Sequence, residues 1–174
     1  NYVEIRKELE EKGFEFKTHS DTEVILALFS KNREDAFKEL RGMFGFLIWD
    51  KETKELFGAR DPFGIKPFFY LEDDEGLYCA SEKKSITLVK EKQEVDAESL
   101  HHYLTYQFVP EPMTLTKDIK KLEPGHYFVK KAGRPLQIKS FWKPNFAPKN
   151  LSLEEAKDKI RSVMRDSVKV HMRS

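Results

Sequence analysis

Phe44-Gly45-Phe46-Leu47-Ile48-Trp49 is followed, across the polar turn Asp50-Lys51-Glu52-Thr53-Lys54, by Glu55-Leu56-Phe57-Gly58-Ala59-Arg60. The first run carries no polar side chain, so it reads as a strand covered on both faces. The second run returns as its neighbour. Asp61-Pro62-Phe63-Gly64-Ile65-Lys66-Pro67 cannot extend that strand, because two prolines and a glycine fall within seven residues. Beyond it, Phe68-Phe69-Tyr70-Leu71 and Leu77-Tyr78-Cys79-Ala80-Ser81 flank a turn over 72–76. Short strands joined by short turns make an antiparallel meander.

Outward from this meander the period changes to that of helices. Toward the C-terminus, Asp96 caps a predicted helix from Ala97 to about Tyr106, which Val109-Pro110-Glu111-Pro112 breaks. A hairpin is predicted from His126–Lys130 and Leu136–Trp142 around Ala132-Gly133-Arg134. Pro144 to Asn150, with two prolines and two asparagines, reads as a linker. Ser152-Leu153-Glu154-Glu155 is a capping box, and Ala156, Ile160, Val163, Met164 and Val168 behind it share one helical stripe. Toward the N-terminus, a helix is predicted from Glu34 to Arg41. Ser20-Asp21-Thr22-Glu23 reads as a second capping box, opening a helix that carries Val24, Ile25, Leu26 and Leu28. Phe14, Phe16 and Thr18 alternate with charged residues as a short strand would, and Tyr2, Ile5 and Leu9 form a helical stripe ended by Gly13. The chain opens inside that helix without an initiator Met, so an internal fragment of a longer protein is expected.

Composition narrows the function classes. The 174 residues include 14 Phe, 6 Tyr and 2 Trp, too aromatic for a disordered chain. Lys plus Arg number 31 against 30 Asp plus Glu, a net charge of +1 that gives no broad pull toward nucleic acid or an anionic membrane. A single cysteine excludes an internal disulfide and a cysteine-rich zinc site. No apolar run is long enough to span a bilayer, and no signal peptide is visible, so a cytoplasmic setting is expected.

Few residues announce chemistry. The five histidines, at 19, 101, 102, 126 and 171, never fall at metal-binding i, i+4 spacing. Nucleophile elbow, phosphate loop and dinucleotide fingerprint are all absent from the sequence. Cys79 lies in an apolar strand and reads as a buried, inert thiol. Asp21 sits at a helix start, where the dipole favours a carboxylate by about 0.3–1 kcal/mol. It admits two readings: helix-start electrostatics alone, or a fixed acid that holds a cation such as an amino acid's α-amine. The adjacent Arg60 and Asp61 read as a turn-stabilising ion pair.

Gly58-Ala59-Arg60-Asp61-Pro62-Phe63-Gly64-Ile65-Lys66-Pro67 resembles a signature of the class II glutamine amidotransferases. Four further stretches resemble their glutamine-dependent asparagine synthetase branch: Ser20 to Val24, Leu40 to Phe46, Tyr78 to Ser85, and Tyr106 to Pro112 with Lys121-Leu122-Glu123-Pro124-Gly125 behind it. The resemblance implies an α+β fold of the N-terminal-nucleophile hydrolase type, a four-layer αββα sandwich. It places a glutaminase domain lacking its N-terminal segment at 1–148 and the first helix of an ATP-pyrophosphatase domain at 151–174. It implies an enzyme, a ligase that releases ammonia from glutamine and uses Mg2+ and ATP to amidate aspartate. It is compatible with a homodimer, and it gives no place to nucleic acid or membrane. A non-catalytic amidotransferase-like binding domain and a β-lactam synthetase-like enzyme are the competing readings.

Residue by residue, the resemblance transfers little of the catalytic apparatus. The family's nucleophile is an N-terminal Cys, which nothing here matches. Of its oxyanion segment only the last residue corresponds, as Asn1, and its pyrophosphate loop falls beyond Ser174. Asp21 matches the acid that holds the glutamine α-amino group. The 174 residues by themselves are therefore expected to be inactive and to bind neither metal nor nucleotide.

Overall fold

A computed structural model describes residues 1–90 and 94–172. The chain divides into two compact units, one made of Asn1–Leu28 with Pro144–Ser174 and the other of Phe29–Lys143.

The first unit opens with helix α1 (Tyr2–Glu11), which buries Ile5 and Leu9. Its end is a Schellman motif: the Phe14 N–H donates to the Leu9 carbonyl at 3.0 Å and the Gly13 N–H to Glu10 at 2.9 Å. Gly13 takes φ +87°, the left-handed geometry this motif requires. The strand expected over Phe14, Phe16 and Thr18 does not form. The two phenylalanine rings instead pack on each other at 4.8 Å, with the Arg6 guanidinium 4.4 Å from the centre of Phe16. The Lys17 and Thr18 N–H groups that a ladder would use donate to the Glu23 carboxylate at 2.8 and 2.7 Å. Helix α2 (Asp21–Asn32) follows. At the far end of this unit, after 144–150 without regular structure, lies α5 (Leu153–His171). Ser152 and Glu155 close its capping box in both directions. None of its side chains is buried, and Ile160, Val163, Met164 and Val168 all face solvent.

The second unit holds two antiparallel sheets. Strands β1 (Gly45–Asp50), β2 (Glu55–Arg60), β6 (His126–Lys131) and β7 (Gln137–Ser140) lie in that order in the first sheet. Strands β4 (Gly76–Ala80), β3 (Phe69–Asp73) and β5 (Lys120–Lys121) form the second. Strand alternation sends Leu56 and Phe128 from the first sheet, and Phe68, Tyr70, Leu77 and Cys79 from the second chain of strands, into one shared core. The opposite face of the first sheet packs under Phe29, at the end of α2, and Phe37, in a 3₁₀ turn (Arg33–Glu39). Phe29 meets Phe57 at 4.9 Å and Phe37 meets Tyr127 at 5.1 Å. The opposite face of the second sheet packs Leu71 against Ile86 of α3 (Lys83–Val89) and Ile119. Within this unit the segment from Phe29 through the 3₁₀ turn, the two sheets and α3 thus follow one another as layers, in the expected αββα order.

The helix expected from Glu34 to Arg41 is the 3₁₀ turn, and α3 is an additional helix between β4 and α4. Asp96 caps α4 (Ala97–Tyr106) as expected, accepting from the Ser99 N–H at 2.7 Å.

Gly58 pairs with Phe128 across β2 and β6, where the ring covers the strand backbone. A Cβ at Gly58 would stand 2.3 Å from Phe128 Cε1 and 3.1 Å from Leu47 Cδ2. Phe128 is fully buried and has no room to swing away. Gly58→Ala is expected to cost about 1–3 kcal/mol by overpacking, read as a lower urea midpoint at unchanged m-value.

Arg33 crosses from the 3₁₀ turn to the hairpin, pairing with Asp50 and, at 3.1 Å, with Glu55; Lys131 pairs with the other Glu55 oxygen. Hydrogen bonding from Arg33 holds Asp50 below its ordinary value, and hydrogen bonding from Lys131 does the same for Glu55. Groups whose folded values are depressed stabilise fully above their unfolded values, about 3.9 for Asp and 4.3 for Glu, and lose that contribution as pH falls toward the folded values. The thermal midpoint should therefore drop between about pH 5 and 3. Arg33→Gln should flatten that drop; an equally steep acid limb in the variant would remove Arg33 from the cause.

Candidate functional site

The ten residues 58–67 build a rigid loop, though not through the ion pair expected between Arg60 and Asp61. The two side chains have separate partners. Arg60 is buried, and its guanidinium donates to four acceptors: the Lys66 carbonyl at 2.8 Å, the Gly64 carbonyl at 2.7 Å, the Leu122 carbonyl at 2.6 Å and the Glu111 carboxylate at 3.0 Å. A planar fork with fixed N–H directions suits this task, and a lysine ammonium could not reproduce it. Asp61 has no solvent exposure. Its carboxylate accepts three backbone N–H groups, from Phe63 at 3.1 Å, Ile65 at 3.0 Å and Lys66 at 2.9 Å. The Asp61 carbonyl also accepts from Gly125 at 3.0 Å. Much of the backbone that the prolines and the turn leave without a ladder partner is thereby bonded inward. The loop presents Phe63, 73% exposed, and Ile65, 53% exposed, on its outside. Glu111 lies 51 residues from Arg60, so no local reading of the sequence could have paired them.

Asp21 is the first residue of α2 and is exposed. Its Oδ1 accepts the Thr22 N–H at 2.8 Å and the Ser20 hydroxyl at 3.5 Å. No described residue donates to its Oδ2, which leaves one carboxylate oxygen for a cation. The capping box expected here is only half present. Ser20 Oγ accepts from Thr22 at 3.1 Å, but Glu23 reaches past Ser20 to the Lys17 and Thr18 N–H groups. Hydrogen bonding from the Thr18 hydroxyl, ahead of the backbone donors, keeps Glu23 below its ordinary value. Arg6 adds a 2.6 Å bond to the Thr18 carbonyl. The turn that delivers Asp21 is thus tied both to α1 and to the first turn of α2. Sequence reasoning assigned Glu23 to the wrong donors, and no signal in the sequence pointed to Arg6.

Cys79 faces the core between the two sheets. Burial pushes its thiol up to about 12, far from the thiolate a nucleophile needs. Among the described residues no group of three or more His, Cys, Asp or Glu side chains could hold a metal ion. No described helix is long and apolar enough to cross a membrane.

A family model described as a glutamine amidotransferase domain matches residues 1–142. The chain is 47% identical over 174 residues, 100% of its length, to glutamine-hydrolysing asparagine synthetase 1 of Bacillus subtilis (strain 168). It is 33% identical over 171 residues, 97% of its length, to glutamine-hydrolysing asparagine synthetase 3 of the same organism. In both cases it spans 28% of the relative. Among solved structures, glutamine phosphoribosylpyrophosphate amidotransferase from B. subtilis, complexed with ADP and GMP, superposes with a TM-score of 0.61. That likeness covers 83% of this chain and 27% of the other at 22% identity, and it shows a shared fold.

Proposed function

Because this chain belongs to the glutamine amidotransferase domain family, we propose that it is the glutamine-handling part of a glutamine-dependent asparagine synthetase. The observation that carries this reading is the 47% identity to such a synthetase along the whole chain. In this reading Asp21 accepts the α-ammonium group of glutamine through its unoccupied Oδ2. A carboxylate serves here because the ligand is a cation whose charge must be matched in a fixed direction. The loop at 58–67 and the two sheets give the domain its rigidity, as a binding constellation requires.

The chemistry that needs a nucleophile is assigned to no residue of this chain, since Cys79 is buried with a raised thiol value. By the same reasoning the 174 residues alone are expected to release no ammonia from glutamine. Mg2+ and ATP would activate aspartate in the synthetase, but the residues here do not fit them: the sequence has no phosphate loop, and no described acidic cluster could hold the metal. That step is therefore placed outside these residues. The capped helix α5, with its solvent-facing apolar stripe, is taken as the start of the domain that carries it, and 1–148 as the amidotransferase domain. A cytoplasmic setting, glutamine, aspartate and ATP as small-molecule partners, and a homodimer belong to the same proposal.

The test is to assay the protein that carries this domain for asparagine formation from aspartate and Mg-ATP, with either glutamine or ammonium as nitrogen donor. The expected result is product with both donors. Product from ammonium with none from glutamine would overturn the role given to this domain.

A further inference from the structure

The second unit has a cavity of about 600 Å³ that the reading above does not use. Four elements meet there: β3 contributes Phe69, α3 Lys83, α4 Tyr103, and β5 Lys121. Phe108 and Met113, from the segment after α4, complete an apolar wall. Its volume falls within the 300–1,000 Å³ typical of small-molecule sites, and a mostly apolar lining with a few polar groups is the usual composition. Tyr103 and Phe108 keep 46% and 60% of their surface exposed, so two aromatic rings stand open at the cavity.

The charges around the cavity do not cancel. Glu111 is shared by two cations, Arg60 at 3.0 Å on one oxygen and Lys121 at 3.3 Å on the other. Lys83, half-buried, also lines the cavity, and its ammonium donates to the Thr116 hydroxyl at 2.8 Å. No carboxylate among the described residues lies within ion-pairing distance of Lys83. Among the cavity's lining residues two cations, Lys83 and Lys121, stand against one carboxylate, Glu111, which Arg60 also engages, so the lining carries one surplus positive charge. An apolar, aromatic-walled cavity with a surplus cation matches a ligand that has a flat ring and an acidic group.

We propose that this cavity binds a small aromatic anion, its ring against Tyr103 and Phe108 and its carboxylate or phosphate held by Lys83 and Lys121. The site is independent of the glutamine reading: Asp21 lies in the other unit and has no part in it.

Calorimetric titration of the protein that carries this domain tests this, with indole-3-acetate as a carboxylate probe and phenyl phosphate as a phosphate probe. Uncharged indole and phenol serve as controls. One or both anions should saturate a site below about 1 mM, and the uncharged controls should not. Saturation by indole-3-acetate alone identifies a carboxylate ligand, and by phenyl phosphate alone a phosphate ligand. Lys83→Gln should weaken binding about tenfold, the loss of one charge-assisted bond. Tyr103→Ala, an exposed change that leaves the core intact, should weaken it as well, and Asp21→Asn should leave it unaltered. No saturable binding of either anion, equal binding of the uncharged controls, or undiminished affinity in both cavity variants would overturn the proposal.

Discussion

Asp61→Ala is expected to cost about 3–5 kcal/mol. Three partly buried N–H groups, those of Phe63, Ile65 and Lys66, lose their acceptor at once. An orphaned buried donor costs about 1–3 kcal/mol, and part of that returns where water can enter. The vacated volume adds a cavity term, because Asp61 is fully enclosed. Asp61→Asn should cost about half as much. Its carbonyl oxygen can still accept from Phe63 and Ile65, while its amide would point a donor at the Lys66 N–H. Urea melts followed by circular dichroism separate the three proteins. A loss below about 1 kcal/mol for the alanine variant would mean that the carboxylate does not set the loop.

Asp21→Asn is the second large effect, and it is one of function. In the protein that carries this domain, glutamine-dependent asparagine formation should fall about 10–100-fold in kcat/KM. That is the size expected when one charge-assisted hydrogen bond to a cation is lost. Ammonium-dependent formation should be unchanged, because no glutamine is bound. The fold should tolerate the change. Ser20 caps the Thr22 N–H independently at 3.1 Å, and an exposed carboxylate at a helix start contributes only about 0.3–1 kcal/mol. Equal losses with both nitrogen donors would move Asp21 from ligand binding to general stability.

The strands were legible because their signal is short-range. Phe44 to Trp49 and Glu55 to Arg60 announce themselves through β-prone side chains and a polar turn between them, and the structure pairs them from Gly45↔Arg60 to Asp50↔Glu55. Capping worked where the cap is self-contained, at Asp96 and Ser152, and half failed at Ser20, where Glu23 found better donors in Lys17 and Thr18. The alternation at Phe14, Phe16 and Thr18 misled because a strand needs a neighbour, and none pairs with it. Arg60 and Asp61 misled for the opposite reason. Adjacent opposite charges look like partners, yet burial gives each a set of backbone groups that only the folded loop supplies. The position of Asp21 at a helix start was readable from sequence. The free Oδ2 was not, since it depends on where Ser20, Thr22 and Glu23 direct their own bonds.

The order of strands in the first sheet carries a kinetic consequence. The β1–β2 hairpin closes over a few residues, but the inner neighbour of β2 is β6, with Glu55 opposite Lys131. All of the second sheet is threaded between them in the chain. During synthesis β2 must wait with one side unpaired until the polypeptide has grown past residue 131, and the entropy of closing so long a loop slows that step. Strand β5, which completes the second sheet against Phe69 and Tyr70, emerges only a few residues before β6. The long closures that bring β6 to β2 and β5 to β3 should therefore make refolding of this unit slow.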